Sequence, residues 1–297
     1  MMRIAIYGQK IDEKNIPYFD RLLEYTIKNS IEVYIEKNFL GILKSFETFQ
    51  NLNLPIFTDY QNFVNSYFDI MFIFGGDGTI LDATYFVRDS KVPIVGINTG
   101  NLGFLASFNQ KTFLEKIDMI FQKKFPAMPR SLLTLEISER KNNKDFFLNF
   151  ALNEIVVLRQ KTVSMIIIDT YIGEEFLTSY RADGLIISTP TGSTGYSLSC
   201  GGPIMTPYNK NFLLTPIAPH NLFSRPLIIS DNELIYLKVH SRSYTYSLSL
   251  DTRLNFLSSK LGLFIKKASF YIYIVQEDQA YYKVLRDKLL WGVDPRN

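Results

Sequence analysis

The chain has 297 residues, 46% of them hydrophobic and 21% charged, with a formal net charge of +3. This suits a soluble globular protein with apolar material for two modest cores, and the small, scattered positive charge offers no basic stripe for nucleic acid. The one cysteine, Cys200, excludes an intramolecular disulfide, and with only His220 and His240 beside it a His/Cys zinc cluster is disfavoured. Neither histidine sits in a recognisable nucleophile elbow. The N-terminal MMRIAIYGQK lacks the long apolar region of a signal peptide, and runs such as 70–74 and 165–168 are far too short to span a bilayer. A cytoplasmic protein is expected, with no membrane or nucleic-acid partner.

The first part of the chain alternates strand and helix patterns. Residues 4–7 form a short apolar run ending at Gly8, and Phe19, Leu22, Leu23 and Ile27 recur at helical spacing within 18–27. Strands follow at 31–35, 70–74 and 92–97, with helical patterns at 39–49, 79–87 and 113–121. Continuous apolar strands between amphipathic helices predict a parallel sheet covered on both faces. The texture changes near Pro126 and Pro129. Strand-like runs then dominate, at 132–137, 146–150, 155–158, 163–172, 184–188, 227–229, 234–240 and 244–250, predicting a β-rich domain. Residues 280–290 again read as a helix. The expected organisation is an α/β, Rossmann-like domain over 1–126, a β-rich, sandwich-like domain over 127–270, and a C-terminal segment, 271–297, packing back on the first domain. The high aromatic content, 14%, reads mainly as core packing.

Three segments carry chemistry. The first is Gly75-Gly76-Asp77-Gly78-Thr79, directly after the strand 70–74. Ligands in open α/β sheets bind at the carboxyl ends of strands, and glycines there let backbone amides approach phosphate closely. Thr79 could cap the next helix, whose N-terminus favours anions. A carboxylate among phosphate-binding amides is repulsive. Asp77 therefore reads as the ligand of a phosphate-bridging metal or as the acceptor of a proton from an attacking hydroxyl. The plainer alternative is a strand-to-helix turn in which Asp77 caps backbone amides. No P-loop and no Gly-x-Gly-x-x-Gly fingerprint is present.

The second segment is the pair Asn153-Glu154 at the start of the strand 155–158. It is either a bulge or a pair able to hydrogen-bond vicinal ribose hydroxyls. The third runs from Arg181 to Pro203. A buried strand there opens into Thr189-Pro190-Thr191-Gly192-Ser193-Thr194-Gly195-Tyr196-Ser197-Leu198-Ser199. Pro190 ends the strand, and a plain connection rarely needs so many glycines and hydroxyls.

Together these segments resemble the NAD kinase family. Supporting matches are 98–105, Thr215-Pro216-Ile217-Ala218-Pro219-His220 and Asp251, spread in order through both halves of the chain. The long third motif is the specific one, since lipid kinases and phosphofructokinases carry similar Gly-Gly-Asp turns. The resemblance implies transfer of the γ-phosphoryl of ATP to the 2′-hydroxyl of the adenosine ribose of NAD, giving NADP, in a homodimer or homotetramer. It places Asp77 as proton acceptor with Gly78 beside it, and Asn153 and Glu154 on the dinucleotide-binding pair. It places Asp183 toward the nicotinamide end with Arg181 nearby. The loop carrying Thr191, Thr194, Gly195, Tyr196, Ser197, Leu198 and Ser199 falls around adenine and ribose. Phe104 falls in the adenine pocket, and Ser164, Ala218, Asp251 and Arg253 are further contacts. Gly195 and Cys200 stand where alanine is common. Arg253 occupies a variable position, which leaves preference between NAD and NADH open. A divalent cation, Mg²⁺, is expected to offset donor charge on the glycine turn. A lipid or sugar kinase would explain Asp77 but not the third segment. A non-catalytic dinucleotide sensor would have no need of Asp77.

Overall fold

The computed structural model describes residues 1–100, 103–138, 148–160, 164–276 and 280–291. Met1–Pro129 and Ile272–Asn297 form one unit, and Arg130–Tyr271 form the other. In the first, strands β1 (Arg3–Gly8), β2 (Glu32–Glu36), β3 (Ile56–Phe57), β4 (Ile70–Phe74), β5 (Ile94–Asn98) and β6 (Phe108–Asn109) build a parallel sheet. Its order is β3-β2-β1-β4-β5, extended past β5 by β20 (Ile272–Val275) and then β7 (Ala127–Arg130). Every residue of β4 and β5 is buried, as a strand covered on both faces requires. The chain runs outward from β1 to β3 and then returns to place β4 on the other side of β1. The strand order therefore reverses between β1 and β4, and the crevice at their carboxyl ends is where such sheets bind ligands.

Helices α1 (Ile16–Lys28), α2 (Lys37–Leu43), α3 (Tyr60–Asn65), α4 (Asp77–Val87), α5 (Gln110–Glu115) and α6 (Ile117–Phe121) belong to this unit. Pro17 in the first turn of α1 forgoes an amide that has no helical partner, and Phe19, Leu22, Leu23 and Thr26 form its buried stripe. Phe19 meets Phe39, Phe49 and Phe74 edge-on, which bears out the reading of the aromatic residues as core. The helix expected over 39–49 is broken. α2 stops at Leu43, where Ser45 Oγ donates to the Ile42 carbonyl at 2.7 Å, and a 3₁₀ turn, Glu47–Phe49, follows. The run 113–121 is likewise two helices, parted at Lys116.

The second unit holds two antiparallel sheets. Its strands are β8 (Leu133–Ile137), β9 (Phe150–Ala151), β10 (Glu154–Leu158), β11 (Ile166–Ile172), β12 (Glu175–Ala182), β13 (Gly184–Ser188), β14 (Asn211–Ile217), β15 (Leu227–Ser230), β16 (Ile235–His240), β17 (Thr245–Leu250), β18 (Arg253–Ser258) and β19 (Gly262–Lys267). The sheet orders are β15-β14-β13-β10-β17-β18 and β12-β11-β16-β19-β8-β9. Ile155 and Val157 from one sheet share a buried core with Ile166, Ile168, Leu237 and Val239 from the other, so the sheets pack face to face. β12, β14, β18 and β19 were not legible as strands. β12 is an edge strand with most residues exposed, so it lacks alternation. Parts of two expected strands, 146–147 and 163, lie outside the described residues.

Candidate functional site

The glycine turn is built by close approach. A Cβ on Gly75 would lie 2.3 Å from Thr79 Oγ1, so only glycine lets β4 turn this tightly into α4. The helix begins at Asp77, with Gly76 as its cap residue, two positions before the expected start. Thr79 is buried in its first turn and does not cap it. The Asp77 carboxylate points to the loop after β5. Phe104 N–H donates to its Oδ2 at 2.7 Å, and Leu105 and Ala106 N–H donate to its Oδ1 at 3.0 and 3.3 Å. Gly103 packs against it so closely that a Cβ there would sit 1.9 Å from Oδ1. Asp77 thus does cap backbone amides, though of a loop some 27 residues away. Three amides occupy a carboxylate with about four lone-pair sites, which leaves one acceptor position on Oδ2. Nothing lies within 4 Å of where a Cβ would stand on Gly76 or Gly78, so both backbones face open space.

In the second unit the pair Asn153-Glu154 leads into β10. Asp251, itself at a left-handed φ of 51°, holds the approach. Its carboxylate accepts Leu152 N–H at 2.8 Å, Asn153 N–H at 2.8 Å and Glu154 N–H at 3.1 Å. The third motif is stitched to the same turn. Thr189 donates through N–H to the Asn153 carbonyl at 2.9 Å and through Oγ1 to the Leu152 carbonyl at 2.6 Å. Gly192 lies so close that a Cβ would stand 2.2 Å from the Asn153 carbonyl oxygen.

This packing buries Asn153 Oδ1, Glu154 Oε2 and Thr191 Oγ1 without a hydrogen-bond partner among the described residues. Gly195 adjoins them: a Cβ on it would be 3.0 Å from Glu154 Oε2 and 3.5 Å from Asn153 Nδ2. Orphaned buried polar atoms are rare and costly, and three around one turn mark a place that a polar ligand completes. Burial first, and then the Asp251 carboxylate, pushes the Glu154 carboxyl up to about 8. Asp251 is also raised by burial, opposed by its three amides and the Arg253 guanidinium. Because the amide donors all go to Asp251, the negative charge of the pair rests there and Glu154 takes the proton.

Three residues expected as ligand contacts have other partners. Asp251 has a side chain only 1% exposed and acts through the backbone it holds. Ser197 is buried, with its hydroxyl 2.8 Å from Thr215 Oγ1. Arg253 donates to the carbonyls of Leu148, Phe150 and Leu250 and lies over the Phe150 ring, fastening the segment before Asn153. Among the loop residues Tyr196 and Ser199 are exposed, and Thr194, Gly195 and Leu198 are half-buried. Ala218 follows β14 at a φ of 43°, an uncommon conformation for a side chain to hold. Asp183 forms an ion pair with Arg159 at 2.9 Å, a partner with no local sequence signal. Ser164 and Arg181 line a different cavity of about 710 Å³, which also carries Arg159, His240 and Arg242. The Phe104 backbone is placed by the hydrogen bond its N–H donates to Asp77. Among the described residues no group of three or more His, Cys, Asp or Glu could hold a metal ion.

The ATP-NAD kinase N-terminal domain family matches residues 4–125, and the ATP-NAD kinase C-terminal domain family matches residues 152–265. A NAD kinase of Christiangramia forsetii is 45% identical over 302 aligned positions, covering all of both chains. The chain belongs to the NAD kinase family. A NAD kinase of Flavobacterium psychrophilum, also covered in full, is 46% identical. The yeast NADH kinase, solved in complex with NADH, superposes with a TM-score of 0.85 at 25% identity, over 99% of this chain and 89% of that one. The Archaeoglobus fulgidus NAD kinase, solved in complex with ATP, gives a TM-score of 0.73 at 25% identity, over 97% and 99%. The α/β unit with a parallel sheet and the antiparallel β-rich unit are thus the architecture of the family.

Proposed function

We propose that this chain transfers the γ-phosphoryl of ATP to the 2′-hydroxyl of the adenosine ribose of NAD, producing NADP. The observation that carries the reading is the orphaned trio Asn153 Oδ1, Glu154 Oε2 and Thr191 Oγ1. A vicinal diol brings two O–H donors and two acceptor oxygens, the complement these atoms lack. Gly195 leaves room for it, and the exposed Tyr196 and half-buried Thr194 offer a stacking face and a hydroxyl toward the base and sugar. In this reading Phe104 is the adenine contact, and Asp183, paired with Arg159, serves the nicotinamide end with Arg181, Ser164 and Ala218 as outer contacts.

Asp77 accepts the 2′ proton at the free position on Oδ2 while its other sites stay bound to the loop amides. Phosphoryl transfer depends on positioning and charge neutralisation, so a carboxylate fixed by three amides is a suitable acceptor. The alternative occupant of that single position is Mg²⁺, which commonly takes one or two carboxylates plus substrate phosphates; held there it would neutralise donor charge in place of the proton-acceptor role of Asp77. A homodimer or homotetramer in the cytoplasm belongs to the same reading, and light scattering on the purified chain checks the assembly.

The test is NADP formation by purified protein from NAD with ATP, run beside diacylglycerol and NADH as acceptors. Asp77→Asn is expected to keep NAD affinity and to lose about 10²–10⁴ in turnover. Near-wild-type turnover in that variant would overturn the role given to Asp77.

A further inference from the structure

The buried turn at Asn153-Glu154 is rich in acceptors and short of donors. The N–H groups of Leu152, Asn153 and Glu154 all go to Asp251, and the Thr189 N–H goes to the Asn153 carbonyl. Ser188 faces Glu154 across the sheet, but its hydroxyl turns to the carbonyls of Thr189, at 3.0 Å, and Asn153, at 3.4 Å. The atoms around the turn without a partner among the described residues are Asn153 Oδ1, which can only accept, Glu154 Oε2 and the Thr191 hydroxyl.

The charged group that acts on Glu154 is Asp251, from the turn after β17, whose N–H donates to the Glu154 carbonyl at 3.0 Å. Arg253, from β18, lies 3.7 Å from Asp251 and gives N–H groups to the carbonyls of Leu148, Phe150 and Leu250. From the third motif Thr191 and Gly195 bring no charge, and burial raises the neighbouring Tyr196 phenol, which stays protonated. Among the described residues Glu154 has no ion pair.

A vicinal diol offers two O–H donors. In the reading above the 2′ O–H gives its proton to Asp77, which leaves the 3′ O–H to serve Asn153 Oδ1 and Glu154 together. An ionised Glu154 would then keep a buried charge without a donor, beside a second carboxylate, which is costly. A proton on Glu154 closes the count. Its O–H donates to a ribose oxygen, and the 3′ O–H donates to Asn153 Oδ1. Burial first, and Asp251 second, already holds the carboxyl up to about 8 in the free chain.

We propose that Glu154 binds the dinucleotide as a neutral acid, donating a hydrogen bond to an oxygen of the ribose diol, so that binding requires its proton. The proposal deepens the kinase reading and rests on it for the identity of the ligand. A ribose oxygen accepting from the O–H favours the protonated form further, so the complex holds the proton more firmly than the free chain does. The free chain loses it as pH rises through about 8, and the binding-competent fraction falls with it. A carboxylate that accepted from the diol would show the opposite pH dependence.

Calorimetry of NAD binding to the full chain between pH 6 and pH 9, in paired buffers of different ionisation enthalpy, tests this. Affinities at pH 6 and pH 7 are expected to agree within about twofold, and affinity at pH 9 to be about tenfold weaker. Binding should take up about one proton per NAD at pH 9 and almost none at pH 6. E154Q should bind more weakly than wild type at pH 6, because an amide N–H is a weaker donor and brings a second N–H to satisfy. It should show neither the pH dependence nor the proton uptake. Affinity that rises from pH 6 to pH 9, proton release on binding, or an unchanged pH profile in E154Q overturns the proposal. NADP formation by the wild type is assayed separately. Binding of NAD that ignores pH, with normal NADP formation, would sink this inference alone. Proton-linked NAD binding with no NADP formed would sink the activity and keep the inference, and no NAD binding at any pH sinks both.

Discussion

Glu154→Gln separates the cost of burying this side chain from its use in binding. Glu154 is largely buried, its Oε2 has no partner among the described residues, and its carboxyl is pushed from 4.5 up to about 8. Between these values the folded chain holds a proton that the unfolded chain has released. Stability is therefore whole below about pH 4.5, declines as pH rises toward about 8, and then levels off. Glutamine has nearly the same shape and never ionises, so the variant escapes the decline. At pH 7.5 the gap from 4.5 is three units, which at about 1.4 kcal/mol each sets an upper value near 4 kcal/mol. Local relaxation lowers it, and a gain of about 2–4 kcal/mol for E154Q is expected at pH 7.5, against less than about 1 kcal/mol at pH 5. Urea unfolding followed by circular dichroism at the two pH values measures it, provided the m-value is unchanged. The same variant should lose affinity for NAD, so a more stable protein becomes a poorer enzyme. An equal stability difference at both pH values, or none at pH 7.5, refutes the account of Glu154 as a buried proton-holding carboxyl.

Asp251→Ala leaves three amides and a nearby guanidinium without their acceptor, and a loss of about 3–5 kcal/mol is expected in a thermal or urea melt. Gly103→Ala places a Cβ against Asp77 Oδ1. NADP formation should fall nearly as far as in Asp77→Asn, with a stability cost of about 1–3 kcal/mol and NAD binding retained. Gly192→Ala forces the third motif off the Asn153 carbonyl. Its expected signature is a raised KM for NAD with the KM for ATP unchanged, and a raised KM for ATP alone would contradict the assignment.

Much of the molecule was legible because its signals are local. β4 and β5 are short apolar runs buried on both faces, and the strands of the second unit alternate where one face meets the core. The breaks in the helical runs at Ser45 and Lys116 escaped notice because one side-chain hydrogen bond or one frayed turn decides them. Edge strands such as β12 escaped because partial exposure erases their pattern.

The site divides the same way. Glycines, hydroxyls and carboxylates in Gly75–Thr79, Asn153-Glu154 and the run to Ser199 announce close backbone approach and polar recognition, since few other residues permit either. Which amides each carboxylate holds is decided by contacts between distant positions. Asp77 meets amides 27 to 29 residues away, and Asp251 meets amides 97 to 99 residues away. A residue pattern in the chain does not encode such contacts. Hence Asp251 and Arg253, plausible ligand contacts by motif, turn out to hold backbone in place. Glu154 acquires its proton from burial and from a neighbour across the sheet, so its chemistry exists only once the tertiary structure removes water and brings Asp251 beside it.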